Sequence, residues 1–213
     1  MQKIIILGAG GYAQQLLWVI NRIPGKEVVG FVDETISEER RYCGLPVKKS
    51  LDVYKDEHDT RNVKLICAIG NIPVRKRWVE MYANDYAFTS IIDPSALVSP
   101  DAEIGKNVII LGQSVCSVEC VIEDHVNINW FCLITHHSRV GSYTNISSGV
   151  RLTGHAKIGR FCDIGTNATI IPGKTVGDHC ILGAGAVVTT DISAYSTAVG
   201  IPARVIKKKN SGA

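Results

Sequence analysis

The sequence predicts two folded units. Residues 1–90 form an α/β domain with a parallel sheet, half of a Rossmann-type fold, and residues 91–213 form a parallel β-helix with a short C-terminal tail. Two observations predict this. A glycine-rich turn joins a strand to a helix near the N-terminus, and aliphatic residues recur at every sixth position from Ile92 onward. A chain of 213 residues has room for one or two domains with a substantial core.

The six-residue period runs from Ile92 to Val188 without an insertion, and Cys116 is the one member of its seventeen positions that is not aliphatic. A second register, four residues after the first, holds mostly small residues. A period of six fits neither a helix nor simple strand alternation, and it is typical of a solenoid of short strands. The large side chains stack on their equivalents in neighbouring coils, and the small ones leave room for the chain to turn.

Composition excludes several classes of protein. The formal net charge of +3 is too small and too dispersed to indicate nucleic-acid binding. We expect no signal peptide and no membrane insertion, because the N-terminus begins a strand at once and no apolar run approaches spanning length. The cysteines lack zinc-ribbon spacing and favour a reducing cytoplasm. Five of the seven fall on the two inward registers, where they act as small core residues: Cys116, Cys120, Cys132, Cys162 and Cys180.

The N-terminal unit carries polar or glycine-rich clusters after three predicted parallel strands. The carboxyl ends of such strands meet at one edge of the sheet, where open α/β folds bind ligands. A strand, a glycine turn and a helix also point backbone amides at a phosphate. A nucleotide site is therefore favoured over three independent tight turns. Its candidate residues are Gly8, Gly10, Gly11 and Tyr12, then Asp33 and Glu34, then Gly70 and Asn71, with Arg75 in the helix that follows.

The spacing Gly8-x-Gly10-x-x-Ala13 also fits a dinucleotide fingerprint, so NAD is a candidate ligand. About 90 residues form only half of a doubly wound fold, however, which is too little for two nucleotide halves. A mononucleotide or a nucleotide sugar is therefore favoured. Residues 35–61 are charged and irregular, apart from a predicted short strand at residues 45–47.

Units such as Ile158-Gly-Arg-Phe-Cys162 and Val176-Gly-Asp-His-Cys180 resemble the hexapeptide repeat of left-handed β-helix acyltransferases. The resemblance implies three hexads per triangular coil, so that residues eighteen apart lie above one another. It also implies the left-handed winding, whereas general connection rules favour the other hand. A homotrimer and an acyl-coenzyme A cleft between neighbouring solenoids are implied in the same way.

The two units in this order resemble one group more closely: the sialic acid O-acetyltransferases and nucleotide-aminosugar N-acetyltransferases, including the bacillosamine- and perosamine-type enzymes. The resemblance covers nearly the whole chain. It implies transfer of an acetyl group from acetyl-CoA to a nucleotide-linked amino sugar, in the cytoplasm, for surface polysaccharide or glycoprotein glycans. The segments that carry it are Gly8-Ala-Gly-Gly-Tyr-Ala13, Ala68-Ile-Gly-Asn71 with Arg75, Asn129 seven residues before His136, Gly154, and Gly200-Ile-Pro-Ala-Arg204.

Acyl transfer from a thioester to an amine needs a base that takes a proton near neutral pH, and histidine is suited to this. A backbone amide usually supports the developing oxyanion. In the family, the histidine matching His136 is the proposed base, and the amide of the glycine matching Gly154 meets the thioester carbonyl. Asn129 and His137 complete the expected catalytic set. The resemblance implies a coenzyme A site formed by Gly154, Gly183, Ala184, Ile201, Pro202 and Arg204.

The sequence departs from the family at three positions. His137 stands where an acid usually follows the base, Asn145 replaces a further histidine, and Tyr12 replaces a histidine in the glycine loop. A carboxylate orients a histidine base and strengthens it, and a second imidazole does this less well. A sugar hydroxyl must be deprotonated as it attacks, so a base without its carboxylate favours the amine. Sugar O-acetylation and a catalytically lapsed nucleotide-sugar-binding protein are the two alternatives.

The remaining histidines suggest other arrangements. His125 and His179 share one column with Tyr143 and Phe161 between them, which predicts an external stacked face. His137 and His155 are eighteen residues apart and therefore adjacent on neighbouring coils. Such a pair could bind a metal ion, but we expect no metal because no carboxylate or thiolate is placed with them.

Overall fold

The computed structural model describes residues 1–38, 40–52, 54 and 62–209. The chain divides into two compact units, Met1–Asp93 and Pro94–Ala213. No helix among the described residues is long and apolar enough to cross a membrane.

The elements of the first unit are β1 (Gln2–Leu7), α1 (Gly11–Ile20), β2 (Lys26–Val32), β3 (Arg40–Tyr42), β4 (Leu45–Lys48), β5 (Val63–Cys67), α2 (Ile72–Tyr82) and β6 (Ile91–Ile92). Its sheet has the strand order β3-β4-β2-β1-β5 and is parallel except for the antiparallel β3–β4 pair. The apolar end of β1 is wholly buried, as expected for the central strand of a parallel sheet. This confirms the predicted α/β class and the short strand at residues 45–47. Residues 39, 53 and 55–61 of the charged segment lie outside the described part.

The second unit is a solenoid of two-residue strands that ends in a longer antiparallel hairpin. Its strands are β7 (Leu97–Val98), β8 (Glu103–Ile104), β9 (Ile109–Ile110), β10 (Val115–Cys116), β11 (Val121–Ile122), β12 (Asn127–Ile128), β13 (Leu133–Ile134), β14 (Arg139–Val140), β15 (Asn145–Ile146), β16 (Arg151–Leu152), β17 (Lys157–Ile158), β18 (Asp163–Ile164), β19 (Thr169–Ile170), β20 (Thr175–Val176), β21 (Ile181–Leu182), β22 (Val187–Val188), β23 (Ser196–Val199) and β24 (Arg204–Lys208).

Each strand from β7 to β19 pairs in parallel with the strand three further along the chain. Val115 is opposite Leu133, for example, and Leu133 is opposite Arg151. Strands therefore form three stacked sheets, which run β7-β10-β13-β16-β19-β22, β8-β11-β14-β17-β20 and β9-β12-β15-β18-β21-β23-β24. Partners eighteen residues apart confirm the expectation of three hexads per coil.

The two periodic registers form the solenoid core. From Ile110 to Val188, every side chain of the aliphatic register is at most 2% exposed. The small register is likewise buried from Val108 to Ile192, except at Lys174, which is half-buried. All five cysteines on these registers are buried, which confirms that they pack in the core.

Every coil turns at corner residues that lie directly before the small register. At eleven of these corners the residue is not glycine and has φ between 52° and 64°. This left-handed region is uncommon for residues with a side chain, so the stacked backbone imposes it. Because corners eighteen residues apart have the same backbone geometry, their side chains form vertical columns.

Candidate active site

Three histidines meet at one solenoid corner. His137 and His155 occupy the corner position of successive coils, and His136 precedes the first of them. The ring centroids of His136 lie 5.3 Å from those of both His137 and His155, and the His137 and His155 centroids are 4.7 Å apart. One ring nitrogen from each residue lies within 4.8 Å of the others, and all three side chains are exposed.

Glu119 adds a carboxylate to this cluster. Its Oε2 lies 3.0 Å from Nδ1 of His137. The expectation that no carboxylate is placed with His137 and His155 is therefore wrong. The family pattern suggests an acid directly after the base in sequence, whereas here the acid lies one coil earlier and contacts His137 rather than His136. Counting back eighteen residues from His137 would have identified it.

Gly154 lies directly under the ring of His136. A Cβ atom added to Gly154 would be 2.5 Å from Cε1 and 2.6 Å from Nε2 of that ring. Glycine is therefore needed at this position to leave room for the imidazole. Within the described chain, the backbone amides of Thr153 and His155 donate to the carbonyls of Ile170 and His136, but no backbone acceptor is found for the amide of Gly154. The structure thus brings the predicted base and a free amide together.

Asn129 is held by the stacking of the coils. Its Nδ2 donates to the carbonyl of Ile146 over 3.1 Å, and its own carbonyl accepts from the hydroxyl of Ser114 over 2.8 Å. These bonds link Asn129 to Ile146 and Ser114 on neighbouring coils rather than to the histidine cluster.

A second column of corner residues forms a ladder of flat rings. Successive centroids are 4.5 to 5.2 Å apart, and the three later pairs are within 12° of parallel. This confirms the predicted stacked face and extends it by one residue. The ladder consists of His125, Tyr143, Phe161, His179 and Tyr195.

The expected coenzyme A residues other than Gly154 lie at the C-terminal end of the solenoid. Gly183 faces β23, and a Cβ atom there would be 2.7 Å from Cγ1 of Val199. Ala184 is exposed. The loop between β23 and β24 contains a cis bond between Ile201 and Pro202, and Ile201 is 77% exposed.

The same loop is fastened to β22. The backbone amide of Ala203 donates to the carbonyl of Val187 over 2.7 Å, and the amide of Val187 donates to Gly200 over 3.0 Å. Arg204 is exposed, and its Nη1 donates to the carbonyl of Ala203 over 3.2 Å. This leaves most of its guanidinium facing solvent, as a phosphate contact would require.

In the first unit, the ends of β1, β2 and β5 lie next to one another. The amide of Ala9 donates to Oδ2 of Asp33 over 3.0 Å, and Oδ1 of Asp33 accepts from the amide and hydroxyl of Thr35. Gly8 has a φ of 98°, and a Cβ atom there would be 3.1 Å from Cγ1 of Ile69. The structure therefore brings these strand ends together.

The start of α1 is open. No atom lies within 4 Å of a Cβ added to Gly10 or Gly11, so a ligand could approach this backbone closely.

Asn71 caps α2, since its Oδ1 accepts from a backbone amide of the first turn over 3.1 Å. Glu34 forms an ion pair with Arg77.

Arg75 and Tyr12 point into the first unit. Arg75 is fully buried, and its Nη1 donates to the carbonyl of Ile69 over 2.8 Å and more weakly to that of Gly70. The hydroxyl of Tyr12 is buried and has no hydrogen-bond partner among the described residues. Burial raises the pKa of Tyr12 well above its ordinary value, and the nearby Arg75 charge opposes this only in part. Through its bonds to the carbonyls of Ile69 and Gly70, Arg75 holds the loop that follows β5.

The buried thiols are unsuited to nucleophilic chemistry. Burial raises the pKa of Cys132 to about 11 and that of Cys162 to about 12, so both remain protonated near neutral pH. Each instead donates a weak hydrogen bond to a carbonyl of the next coil, Cys132 to Ser147 and Cys162 to Gly177.

Comparison with known proteins identifies similar chains for both units. The family described as the PglD N-terminal domain matches residues 3–82. The acetyltransferase domain of PglB from Neisseria gonorrhoeae is 28% identical, with a TM-score of 0.87 over 97% of this chain and 100% of that one. PerB from Caulobacter crescentus, solved with CoA and GDP-perosamine, is 26% identical, with a TM-score of 0.87 over 96% of this chain and 97% of that one.

A third solved structure shares the fold. WeeI from Acinetobacter baumannii is 24% identical, with a TM-score of 0.73 over 97% of this chain and 100% of that one. The likeness to all three structures extends over both units. The predicted order of an α/β domain followed by a β-solenoid is therefore confirmed.

Proposed function

We propose that this chain, which belongs to the nucleotide-aminosugar N-acetyltransferase group of hexapeptide-repeat proteins, transfers the acetyl group of acetyl-CoA through the corner formed by His136 and Gly154. The acceptor is the amino group of a nucleotide-linked amino sugar. The observation that carries this proposal is the imidazole of His136 lying directly over Gly154. A proton acceptor and a free amide at one spot match the two needs of acyl transfer.

In the proposed reaction, the sugar nitrogen attacks the carbonyl carbon of the thioester. A C–N bond forms, the C–S bond breaks, and coenzyme A leaves as a thiolate. Of the two protons that the ammonium group gives up, His136 accepts one and the thiolate takes the other. The amide of Gly154 donates to the oxyanion while the carbonyl carbon is tetrahedral.

Glu119 and His137 position the base in this proposal. Oε2 of Glu119 lies 3.0 Å from Nδ1 of His137, where it would accept a proton from that nitrogen, and the ring of His137 packs edge-on against His136 at an interplanar angle of 89°. A carboxylate one coil away thus supports the imidazole pair, although it does not follow the base in sequence. This arrangement argues against a lapsed site, because a proton acceptor and a carboxylate are both present at the corner.

We assign nucleotide binding to the first unit. Gly10 and Gly11 leave the start of α1 open to a phosphate, and Asp33 lies beside the glycine turn, where a carboxylate could bind a ribose hydroxyl. The related PerB was solved with GDP-perosamine and CoA, and a related PglB domain with acetyl coenzyme A, which supports these ligand classes. Coenzyme A would contact Gly183, Ala184 and the loop that ends at Arg204.

We further propose a homotrimer that works in the cytoplasm, where acetyl-CoA and nucleotide sugars are made, and that serves surface glycan synthesis. The flat faces of the solenoid offer room for two neighbouring copies. Sedimentation should give the trimer mass, and a fully active monomer would contradict this assignment.

The reaction is tested by following thiol release from acetyl-CoA with a panel of UDP-, GDP- and dTDP-linked amino sugars, and with the matching hydroxyl sugars. We expect release with at least one amino sugar and a product whose acetyl group resists mild alkali, as an amide does. An alkali-labile product would indicate O-acetylation. Binding of nucleotide sugars without any release would indicate a lapsed enzyme.

A further inference from the structure

The histidine corner offers metal ligands as well as a base. His136, His137 and His155 form the one group of three or more potential metal-ligating side chains of the described residues whose ligand atoms lie within 4.8 Å of one another. In a tetrahedral zinc site with Zn–N bonds of about 2.0–2.1 Å, two nitrogens are about 3.4 Å apart. All three side chains are exposed, so small rotations about their χ angles can close the remaining gap.

Glu119 is placed to help His137 act as a metal ligand. Its Oε2 lies 3.0 Å from Nδ1 of His137. A proton held on Nδ1 beside this carboxylate would leave the lone pair of Nε2 available to a metal ion. Metal-bound histidines usually donate their other ring N–H to a carboxylate or a carbonyl, because this fixes the tautomer and the ring orientation.

The other exposed corner histidine provides a contrast. His179 lies flat between Phe161 and Tyr195, with interplanar angles of 12° and 7°, so each face of its ring is covered by an aromatic ring. The rings of the histidine corner are instead inclined to one another by 56° to 89°. Crossed ring planes allow nitrogens from several residues to point at a common centre.

We propose that His136, His137 and His155 bind a divalent transition-metal ion, Zn²⁺ above all, with Glu119 supporting His137 and water in the fourth position. Imidazole ligands select Zn²⁺, Cu²⁺ or Ni²⁺ over Mg²⁺ and Ca²⁺, which prefer oxygen. One consequence rests on the proposed function: the lone pair with which His136 takes a proton becomes a metal ligand, so the ion inhibits acetyl transfer.

Binding is tested on the full chain after treatment with EDTA and transfer to chelator-free buffer. Calorimetric titration with ZnCl₂ should give one ion per chain, and titration with MgCl₂ should give no binding heat. His155→Asn removes one ligand, and asparagine tolerates the left-handed corner, so the fold should persist. We expect His155→Asn to weaken Zn²⁺ binding at least about tenfold, and Glu119→Gln to weaken it by about 10–100-fold.

His179→Asn is the matched control, because it removes an exposed histidine from the same kind of corner and should leave Zn²⁺ affinity unchanged. Circular dichroism confirms that each variant is folded. Absence of stoichiometric binding to the unmodified chain, or unchanged affinity in folded His155→Asn, would overturn the site.

The inhibition is tested separately from binding. Zn²⁺ should stop acetyl transfer by the unmodified chain, EDTA should restore it, and His155→Asn should retain its basal rate while escaping inhibition. A chain that binds Zn²⁺ but transfers no acetyl group contradicts the proposed function and leaves the metal site standing. A chain that is saturated with Zn²⁺ yet fully active contradicts the inhibition.

Discussion

Two columns of corner residues share one backbone geometry and differ in what they can do. In the ladder that contains His125 and His179, rings lie face to face and cover one another. In the column of Glu119, His137 and His155, the two imidazoles are inclined to each other by 56°, and a carboxylate lies 3.0 Å from one of them. The solenoid therefore sets where a side chain starts, and the neighbours one coil above and below decide whether its nitrogen atoms stay accessible.

The largest expected effect comes from removing the proposed base of the histidine corner. His136→Ala should lower kcat by ~10²–10⁴-fold, because a positioned proton acceptor usually contributes that much. Nucleotide binding, measured by calorimetry, should change little, since the residues assigned to it belong to the first unit. His179→Ala in the ladder should leave kcat unaltered. If His136→Ala retained most of the rate, proton removal would have to be assigned to His137 or to water.

Gly154→Ala should have the next largest effect. The added methyl group displaces the ring of His136, and misplacing a catalytic group by about an ångström can lower the rate by ~10²-fold. Stability should fall little, because the ring is an exposed side-chain end that can rotate away.

Gly173→Ala is the control for this change. Gly173 has φ of 70° and open space around it, so a methyl group there strains the backbone without touching a ring. We expect a loss of about 1 kcal/mol in the free energy of unfolding and an unchanged kcat. Equal effects of the two alanines on kcat would contradict the role given to Gly154.

Glu119→Gln should have a smaller effect on catalysis. It removes the charge that orients His137 but leaves a hydrogen-bond acceptor, so we expect kcat to fall severalfold with KM for acetyl-CoA unchanged. His137→Asp, which restores the acid usual in the family, should make kcat insensitive to the Glu119 change. Equal sensitivity in both backgrounds would show that the carboxylate does not act through His137.

The smallest effect concerns the core. Cys132→Ser should leave kcat unaltered and lower the free energy of unfolding by about 1 kcal/mol, measured by denaturant titration. Since burial raises the thiol pKa to about 11, Cys132 has less thiolate than a free thiol below that pH. Alkylation at pH 8, mapped by mass spectrometry, should therefore label exposed Cys43 first. Rapid labelling of Cys132 in the folded chain would contradict this packing.

The solenoid could be predicted from sequence because each hexad repeats the same local geometry. Ile128 and Ile146, for example, had to be buried partners once the period was known. Glu119 stands eighteen residues before His137, so the coil repeat predicts their contact, whereas the residues next to His137 in sequence give no sign of it. Arg75 was predicted as a ligand contact in the helix that follows β5, yet its side chain turns inward to two carbonyls. Whether such a side chain turns in or out depends on packing that no local pattern contains.

The columns of corner residues limit how this chain can change in length. Adding or removing one hexad in mid-solenoid would move every later corner to a different edge of the prism and separate Glu119, His137 and His155 from their columns. A change of eighteen residues would return each later corner to its own edge. Insertions that keep the site intact should therefore come in multiples of eighteen residues. Related chains should differ in solenoid length by whole coils.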